Sequence, residues 1–342
     1  MYKVSILVPI YGVEQYIERC SRSLFEQTYE NLEIVFVNDC TPDRSIEILK
    51  QVMEFYPERK NTVRFVEHEI NKGLAATRNT GLVNSTGRFV LCVDSDDWLE
   101  LNAIELMVNA QVRNEADIVS GGYLVHFAEG KHYLRKSEMY HGKEQMVIQM
   151  MQHTWDHFVA GRLVRRSLFV ENELCWKEGL DVAEDRYMMT LLTYHAKVFD
   201  SVDDIVYHYE RSNFNALTKV GDGKRAFKNN QQELGNLLFL ERFFLDKEVV
   251  FQKECSRCIM EQLLNNLQTA VSYSSEEEYN RVVSIIDGRD DADLKLIGWE
   301  RSGLKGWLKH RYVYSWLSHK KEKAIRFIRK RVRGVLHGVR GQ

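Results

Sequence analysis

The first 110 residues alternate between short apolar runs and amphipathic stretches, and this alternation constrains the fold more than any other feature. Strand-length runs that alternate with helical stretches of about 10–15 residues are typical of βαβ units and a parallel sheet. The pattern therefore predicts an α/β fold whose mostly parallel sheet is covered on both faces. The predicted strands are Val4–Val8, Glu33–Val37, Thr62–Val66 and Arg88–Val93, and the predicted helices are Glu14–Glu26, Asp43–Glu54, Leu74–Val83 and Leu99–Ala110.

The rest of the chain gives a mixed pattern and then a helical one. Between residues 115 and 215, short strands are predicted on either side of Gly121-Gly122 and on either side of the acidic segment Asp200–Asp204. Beyond residue 224, apolar residues recur at helical spacing. We therefore divide the chain into a catalytic domain of residues 1–220, a helical accessory region of residues 221–300 and a tail of residues 301–342.

Composition excludes several classes of protein. Of the 342 residues, 44% are hydrophobic and 28% are charged, which excludes disordered and fibrous chains. The sequence lacks the run of about 18 apolar residues that a membrane-spanning helix needs. The apolar stretch Met1–Pro9 is too short for a signal peptide, and six cysteines in a chain of this length do not indicate a disulfide scaffold. A reduced, cytoplasmic protein is therefore expected.

The tail carries a strong positive charge that the near-neutral net charge of the whole chain conceals. Residues 301–342 hold thirteen lysines and arginines and one acidic residue, Glu322, whereas residues 1–300 hold 34 basic and 48 acidic residues. Apolar residues such as Ile325, Ile328 and Val332 keep helical spacing among these basic residues. A basic amphipathic helix is typical of contact with an anionic membrane surface, here the inner face of the cell membrane. The alternative is a solvated helix attracted to the acidic remainder of the chain. No nucleic-acid-binding module accompanies the tail, so nucleic acid is not an expected partner.

Acidic and aromatic residues follow three of the predicted strands. Tyr11 follows the first strand, Asp39 follows the second, and Asp94-Ser95-Asp96-Asp97 follows the fourth. In an open α/β sheet, ligands bind outside the carboxyl ends of the strands. We therefore expect these side chains to converge on one edge of the sheet.

The loop after the first strand has a single glycine, Gly12, and neither glycine-rich phosphate-binding motif occurs in the sequence. The other common way to bind phosphate groups is through a divalent cation, which carboxylates hold and which bridges the phosphate oxygens. In an extended segment Asp94 and Asp96 share a face, with Asp97 on the other. We therefore predict a Mn²⁺ or Mg²⁺ site here. A second reading, compatible with the first, is that Ser95, Asp96 or Asp97 caps a helix entered at Trp98.

Four blocks of sequence closely resemble the start of family 2 glycosyltransferases, in the family's order and spacing. The resemblance covers residues 3–110 well and residues 150–215 loosely, and it implies the GT-A fold of nucleotide-diphospho-sugar transferases with a helical C-terminal extension. The blocks are Val4–Tyr11 with Gln27–Tyr29, Leu32–Asp39, Asn71–Asn79 and Val93–Trp98.

The resemblance also implies roles for single residues. Asp39 would hydrogen-bond the uracil of a nucleotide sugar, with Pro9 and Tyr11 lining the base pocket. Arg78 would lie near the ribose and pyrophosphate. Of the acidic residues, Asp94 would contact ribose or sugar, Asp96 would bind the metal and Asp97 would share that role. The alternatives are that Tyr11 is strand-end core and that Arg78 forms an ion pair on a helix surface.

The segment Ala183–Tyr187 resembles the family's Glu-Asp pair, which opens a helix beneath the acceptor site. By this match Asp185 is the general base and Glu184 its support. One base on the far face of the sugar implies single displacement and hence inversion. The alternative is that both acids only favour a helix N-terminus.

Two weaker features remain. His208 in Tyr207-His208-Tyr209 is a further candidate metal ligand, with a solvent-facing histidine as the alternative. Cys255-x-x-Cys258 has no second pair and lies in a helical pattern, which favours helix-face thiols over zinc.

Together these features predict an inverting, metal-dependent hexosyl- or N-acetylhexosaminyl-transferase that uses a UDP-sugar donor and a hydroxyl acceptor. The basic tail points to a lipid-linked glycan or glycolipid acceptor in the synthesis of surface polysaccharide or lipopolysaccharide. Two other classes stay open at this point. A nucleotidyltransferase also pairs carboxylates with metal, but needs a glycine-rich triphosphate loop that is missing here. A non-catalytic nucleotide-sugar-binding or scaffold protein would need no base.

Overall fold

A computed structural model of the chain describes residues 1–135, 142–153, 158–213, 223–272, 275–289 and 293. The chain divides into two compact units, Met1–Lys219 and Val220–Gln342. The basic tail predicted over residues 301–342 lies outside the described residues.

The first unit begins with the expected alternation of strands and helices. The predicted and observed bounds agree to within a few residues for the first seven elements, and the helix predicted over Leu74–Val83 has those bounds in the structure. These elements are β1 (Val4–Ile10), α1 (Ile17–Phe25), β2 (Leu32–Asn38), α2 (Ser45–Met53), β3 (Val63–Glu67), α3 (Leu74–Val83) and β4 (Phe89–Cys92).

The later elements of this unit complete one sheet. They are β5 (Trp98–Leu99), α4 (Ala103–Asn114), β6 (Ile118–His126), β7 (His132–Arg135), α5 (Lys143–Gln152), β8 (Arg162–Arg165), α6 (Arg166–Glu171), α7 (Glu184–His195) and β9 (Phe199–Glu210).

The sheet is mixed. Its strand order among the described residues is β3-β2-β1-β4-β8-β6-β9-β5, with β7 paired to β6. The strands β1 to β4 are mutually parallel, as predicted. Beyond β4 the sheet adds antiparallel pairs through β8 and β5 and one further parallel pair, β6 with β9. From β1 the chain first adds β2 and β3 on one side and then β4 on the other, so the strand order reverses at β1. In open α/β sheets, ligands bind at such a reversal.

The central strand β1 shows why the sheet forms. All seven of its residues are buried, which is the pattern of a parallel strand that is covered on both faces. Ile6 and Val8 share a core cluster with Ile17 of α1. On the opposite face Leu7 lies against Gly81 of α3. Apolar burial on both faces therefore stabilises β1 between its neighbours β2 and β4.

Two predicted strand breaks are wrong. The strand β6 runs through Gly121-Gly122 with only an irregular register, and β9 runs through the acidic segment. A Cβ atom on Gly121 would overlap the side chain of Val206 in β9. Glycine at position 121 therefore allows a close approach of two strands and does not make a turn.

The predicted helix start at Trp98 is also wrong. Trp98 and Leu99 form the short strand β5, which pairs with β9 at His208 and Tyr207. The next helix, α4, begins only at Ala103. Ser95, Asp96 and Asp97 therefore cap no helix and form a loop between two strands.

The second unit is helical where it is described. Its helices are α8 (Gly223–Phe244), α9 (Val249–Ser272) and α10 (Glu276–Asp287). Cys255 and Cys258 are buried in α9, and the thiol of Cys255 lies 3.6 Å from the carbonyl oxygen of Leu237. None of the described helices combines the length and the apolar character that crossing a membrane requires.

Candidate active site

A cavity of about 630 Å³ opens at the carboxyl ends of β1, β2 and β4. Residues that lie far apart in sequence meet here, as the ends of parallel strands predict. Every residue that sequence reasoning assigned to the donor, to the base or to the acidic part of the metal site lines this cavity: Pro9, Tyr11, Asp39, Arg78, Asp94, Asp96, Asp97, Glu184 and Asp185.

Arg78 joins the two acidic parts of the cavity. Its side chain comes from α3 and is 1% exposed. Nη1 donates to Glu184 at 2.7 Å and to Asp185 at 2.6 Å, and Nη2 donates to Asp94 at 2.8 Å. Because Arg78 is buried, the alternative of an ion pair on a helix surface is wrong. One cation thus links the loop after β4 to the first turn of α7.

Glu184 and Asp185 are both buried. Burial raises the pKa of Glu184 to about 8, and the neighbouring Asp185 adds to this rise. Burial also raises the pKa of Asp185, while the Arg78 guanidinium opposes the rise. The backbone N–H of Val159 donates to Oδ2 of Asp185 at 3.3 Å. The alternative of a helix-terminus role accounts for neither the ion pairs nor the place in the cavity, whereas a carboxylate with a raised pKa suits proton transfer.

The other end of the cavity holds Tyr11 and Asp39. Tyr11 is 51% exposed, so it is not strand-end core. Asp39 is buried. Its Oδ1 lies 2.7 Å from the ring nitrogen Nδ1 of His68 and accepts a hydrogen bond from the backbone N–H of Lys72 at 2.8 Å. Its Oδ2 accepts the N–H of Gly73 at 2.9 Å. Asp39 therefore anchors the loop that leads into α3 and Arg78.

The acidic loop after β4 contains two different kinds of carboxylate. Asp96 accepts a hydrogen bond from the Asn213 side chain at 2.9 Å, and burial, helped by Asp94, raises its pKa to about 6. Asp97 is 1% exposed and accepts from the Tyr207 hydroxyl at 2.5 Å and from the Glu210 N–H at 2.7 Å. Both oxygens of Asp97 are engaged. These contacts favour a structural role for Asp97 over the metal role expected from sequence.

Asp94 and Asp96 fit a divalent cation. Both present hard oxygen donors to the cavity, and the Asp94 side chain is 30% exposed. Their mutual repulsion contributes to the raised pKa of Asp96, and a cation would relieve that repulsion. Within the described ranges, no group of three or more His, Cys, Asp and Glu side chains could hold a metal. Magnesium is commonly bound by one or two carboxylates together with substrate phosphates.

His208 lies outside this cavity's lining and is buried, so the solvent-facing alternative is wrong. Its ring stacks on Trp98 with centroids 4.7 Å apart. Nδ1 lies 2.9 Å from Nε2 of His126, and Nε2 lies 2.8 Å from a Glu100 carboxylate oxygen. Both ring nitrogens are engaged by neighbours, so these contacts give a metal-ligand role for His208 no support.

Sequence reasoning missed three residues that position the site: His68, Tyr207 and Asn213. The Tyr207 hydroxyl also accepts the N–H of Asp94 at 3.2 Å, so it touches both ends of the acidic loop. It belongs to the Tyr-His-Tyr segment that drew attention for its histidine. The other two belong to no motif, and only the fold brings them to the site.

Several of the known proteins that resemble this chain are named as glycosyltransferases. Glycosyltransferase GlyA of Streptococcus pneumoniae is 44% identical over 121 residues, which are 35% of this chain and 17% of GlyA. Glycosyltransferase EpsJ of Bacillus subtilis is 33% identical over 228 residues, which are 64% of this chain and 63% of EpsJ. The chain thus matches less than two thirds of the length of each of these relatives.

A third relative has a more specific name. UDP-Glc:alpha-D-GlcNAc-diphosphoundecaprenol beta-1,3-glucosyltransferase WfgD of Escherichia coli is 34% identical over 122 residues, 36% of this chain and 46% of WfgD. Among solved structures, S. aureus TarS 1–349 in complex with UDP-GlcNAc superimposes with a TM-score of 0.61 at 17% identity. That match covers 92% of this chain and 89% of TarS 1–349, and it shows the GT-A fold. Residues 5–172 match the family described as Glycosyl transferase family 2, and this part of the chain belongs to that family.

Proposed function

We propose that this chain transfers a sugar from a UDP-sugar to a hydroxyl acceptor, with inversion and with a divalent cation. The observation that carries the proposal is the Arg78 bridge, which joins Asp94 on the donor side to Asp185 on the base side of one cavity. Family membership favours glycosyl transfer over nucleotidyl transfer.

The donor end of the cavity is the end with Tyr11 and Asp39. In the proposed complex Tyr11 and Pro9 cover the uracil, Asp39 recognises its edge, and Asp94 contacts the ribose or the sugar. The half-exposed Tyr11 ring supports this assignment, because an exposed aromatic face in a cavity is available for stacking. TarS, which shares the fold, was solved with UDP-GlcNAc, and this supports a uridine nucleotide.

Asp96, together with Asp94, would hold Mn²⁺ or Mg²⁺. When bound, the cation neutralises charge on the departing diphosphate. The chain's own contribution is orientation, because Asn213 holds one oxygen of Asp96 and Arg78 holds one oxygen of Asp94.

Asp185 is the proposed general base. It takes the proton of the acceptor hydroxyl while that oxygen attacks the anomeric carbon from the face opposite to the leaving group, which inverts the configuration. A positioned base of this kind contributes about 10²–10⁴-fold in rate. Glu184 and Arg78 set its charge and orientation.

Calorimetric titration tests the donor and metal sites. UDP, dTDP and GDP are titrated with and without Mn²⁺ into the wild type and Asp96→Ala. We expect Mn²⁺-dependent binding of UDP that is lost in Asp96→Ala. Equal UDP binding by both proteins would contradict the metal assignment, and preference for dTDP or GDP would contradict the donor assignment.

Asp185→Asn separates the enzyme from a non-catalytic binder. We expect this variant to bind UDP as the wild type does but to lose the hydrolysis of UDP-glucose and UDP-N-acetylglucosamine, in which water replaces the acceptor and UDP is released. Glu178→Gln is the matched control, because Glu178 is an exposed acid shortly before α7. A near-normal rate in Asp185→Asn would overturn the base assignment.

We also propose that the acceptor is lipid-linked and that the protein works at the inner face of the cell membrane. The name of WfgD, which specifies a diphosphoundecaprenol-linked acceptor, supports the first point. The net charge of +12 on residues 301–342 supports the second. Transfer is then confined to residues 1–220, with residues 221–300 as an accessory region and the tail as the membrane contact. The two compact units support the boundary near residue 220.

A further inference from the structure

An irregular segment, Trp176–Ala183, leads to the proposed base. We call this segment the base loop, and it ends where α7 begins at Glu184, next to Asp185. Loops are usually the more mobile parts of a domain, whereas a misplacement of about 1 Å in an active site can cost about 100-fold in rate. Contacts with a rigid element are therefore needed to hold the base loop in place.

One face of α3 supplies such contacts. Ala75, Arg78 and Asn79 are at positions i, i+3 and i+4 of this helix, so they share a face. The Asn79 side-chain amide donates to the carbonyl oxygen of Trp176 at 2.9 Å and accepts the N–H of Trp176 at 2.8 Å. Arg78 pairs with the two acids at the start of α7. The helix α3 therefore contacts the base loop at its first residue and again immediately after its last.

Asp181 makes a third contact with this face, from within the base loop. Its Oδ1 accepts the N–H of Ala75 at 2.9 Å. Ala75 is the second residue of α3, and an N–H at this position has no partner inside its own helix. An N-cap side chain ordinarily accepts such an N–H, but the N-cap residue of α3 is Gly73, which has no side chain. Asp181 therefore takes the place of the N-cap side chain, from 106 residues further along the chain.

Gly73 allows this close approach. A Cβ atom at position 73 would overlap the Asp181 carboxylate, and the φ angle of +89° is one that favours glycine. The N–H of Gly73 is donated to Oδ2 of Asp39. The first turn of α3 therefore lies between a carboxylate of the proposed donor site and a carboxylate of the base loop.

We propose that Asp181 is a positioning residue, which fixes the base loop on α3 and so holds Asp185 where it can take the proton of the acceptor. This inference rests on the proposed base role of Asp185. In this role Asp181 does not touch the reacting atoms, and its contact with Ala75 requires only an acceptor oxygen. Loss of the contact should therefore slow the chemical step and leave donor binding unchanged.

The kinetics of Asp181→Ala and Asp181→Asn test the positioning role. The full chain is assayed for hydrolysis of UDP-glucose and UDP-N-acetylglucosamine, and UDP binding is titrated separately. We expect Asp181→Ala to lower kcat by about 10–100-fold and to leave KM and the dissociation constant of UDP within about three-fold of wild type. Asp181→Asn keeps an oxygen that can accept the Ala75 N–H, so its kcat should stay within about five-fold of wild type.

Equal losses of kcat in Asp181→Ala and Asp181→Asn would mean that the charge of Asp181 matters and not its contact with α3. A change mainly in KM would mean that Asp181 contacts the substrate directly. Either result would overturn the proposal.

Hydrogen exchange measured by mass spectrometry tests the same contact without any substrate. Peptides from the base loop should exchange about ten-fold faster in Asp181→Ala than in the wild type or Asp181→Asn, whereas peptides from β1 should exchange equally in all three. Glu178→Ala is the matched control, because Glu178 is an exposed acid of the base loop that does not line the cavity. It should behave as the wild type in both measurements.

Unchanged exchange of the base loop in Asp181→Ala, or faster exchange in β1 as well, would overturn the proposal. Faster exchange of the base loop with a normal kcat would show that the contact does not position the base. If the wild type hydrolyses neither nucleotide sugar, the proposed donor is wrong, and the exchange rates still decide whether Asp181 holds the base loop.

Discussion

Three acidic side chains surround the guanidinium of Arg78 at the centre of the cavity, and Arg78 donates hydrogen bonds to all of them. Removing one partner from a buried ion network leaves uncompensated charge. We therefore expect Arg78→Ala to lower the free energy of unfolding by about 3–5 kcal/mol. Urea denaturation at neutral pH measures the change.

The control for Arg78→Ala is Arg44→Ala, since Arg44 pairs with Glu47 on the surface. Exposed pairs contribute about 0–1 kcal/mol, so this variant should be nearly neutral. Equal losses of stability in the two variants would mean that the Arg78 network does not hold the fold together.

Glu184 and Asp185 are adjacent, yet we expect substitutions at the two positions to change the reaction rate at pH 7 by different amounts. A group with a pKa of about 8 carries its proton at pH 7, so Glu184→Gln replaces a neutral acid with a neutral amide there. We expect Glu184→Gln to keep its rate of UDP release at pH 7 within about three-fold of wild type, whereas Asp185→Asn loses about 10²–10⁴-fold.

The difference between Glu184→Gln and wild type should appear only as pH rises through about 8, where Glu184 loses its proton and the variant does not. A pH–rate profile of both proteins, with Glu178→Gln as the control, measures this. An equal loss at pH 7 in Glu184→Gln and Asp185→Asn would show that Glu184 works as an anion.

The rule for open α/β sheets identified candidate residues in strand-end motifs, whereas Arg78, Glu184 and Asp185, which lie in helices, were identified through the family resemblance. Asp39 and Asp94 follow apolar runs, so the rule for open α/β sheets placed them on one edge correctly. Asn213 and His68 follow no such rule. Their importance comes from contacts with Asp96 and Asp39, which form only when distant segments meet.

At the scale of elements, local pattern predicted β1 to β4. The strands β1, β2 and β4 are buried runs, whereas β3 is a short run of half-buried and exposed residues at the edge of the sheet. Local pattern failed at Trp98-Leu99, where pairing with β9, more than a hundred residues later, overrides a helical pattern. It failed again at Gly121-Gly122, because glycine signals both a turn and a close approach, and only the neighbouring strand decides between them.

The contact between Gly121 and Val206 gives a prediction about β6 and β9. Gly121→Ala adds a methyl group where the Val206 side chain lies, and such overpacking costs about 1–3 kcal/mol. In Gly121→Ala/Val206→Ala the space is restored, so the double variant should lose less stability than the sum of the two single variants. A double-mutant cycle by urea denaturation measures this coupling. Strict additivity would mean that the two strands do not approach as closely as described.

At the scale of the whole molecule, charge is divided along the sequence. The net charge of +12 on residues 301–342 stands against 34 basic and 48 acidic residues in the rest. No structural contact explains this division, because the tail lies outside the described residues. The proposed reason is an anionic membrane that carries a lipid-linked acceptor.

If the tail contacts an anionic membrane, the full chain should bind vesicles that contain the anionic lipid phosphatidylglycerol. It should not bind vesicles of the neutral lipid phosphatidylcholine alone. Each basic residue near such a surface contributes about 1 kcal/mol, so Lys320→Glu/Lys321→Glu/Lys323→Glu should weaken partitioning by at least about 100-fold. The control is Lys50→Glu/Lys197→Glu/Lys253→Glu, which changes net charge equally at exposed positions outside the tail. Co-sedimentation at low and high salt measures both, and binding should fall as salt screens the charges. Equal loss in the two triple variants would mean that net charge, not the tail, governs membrane contact.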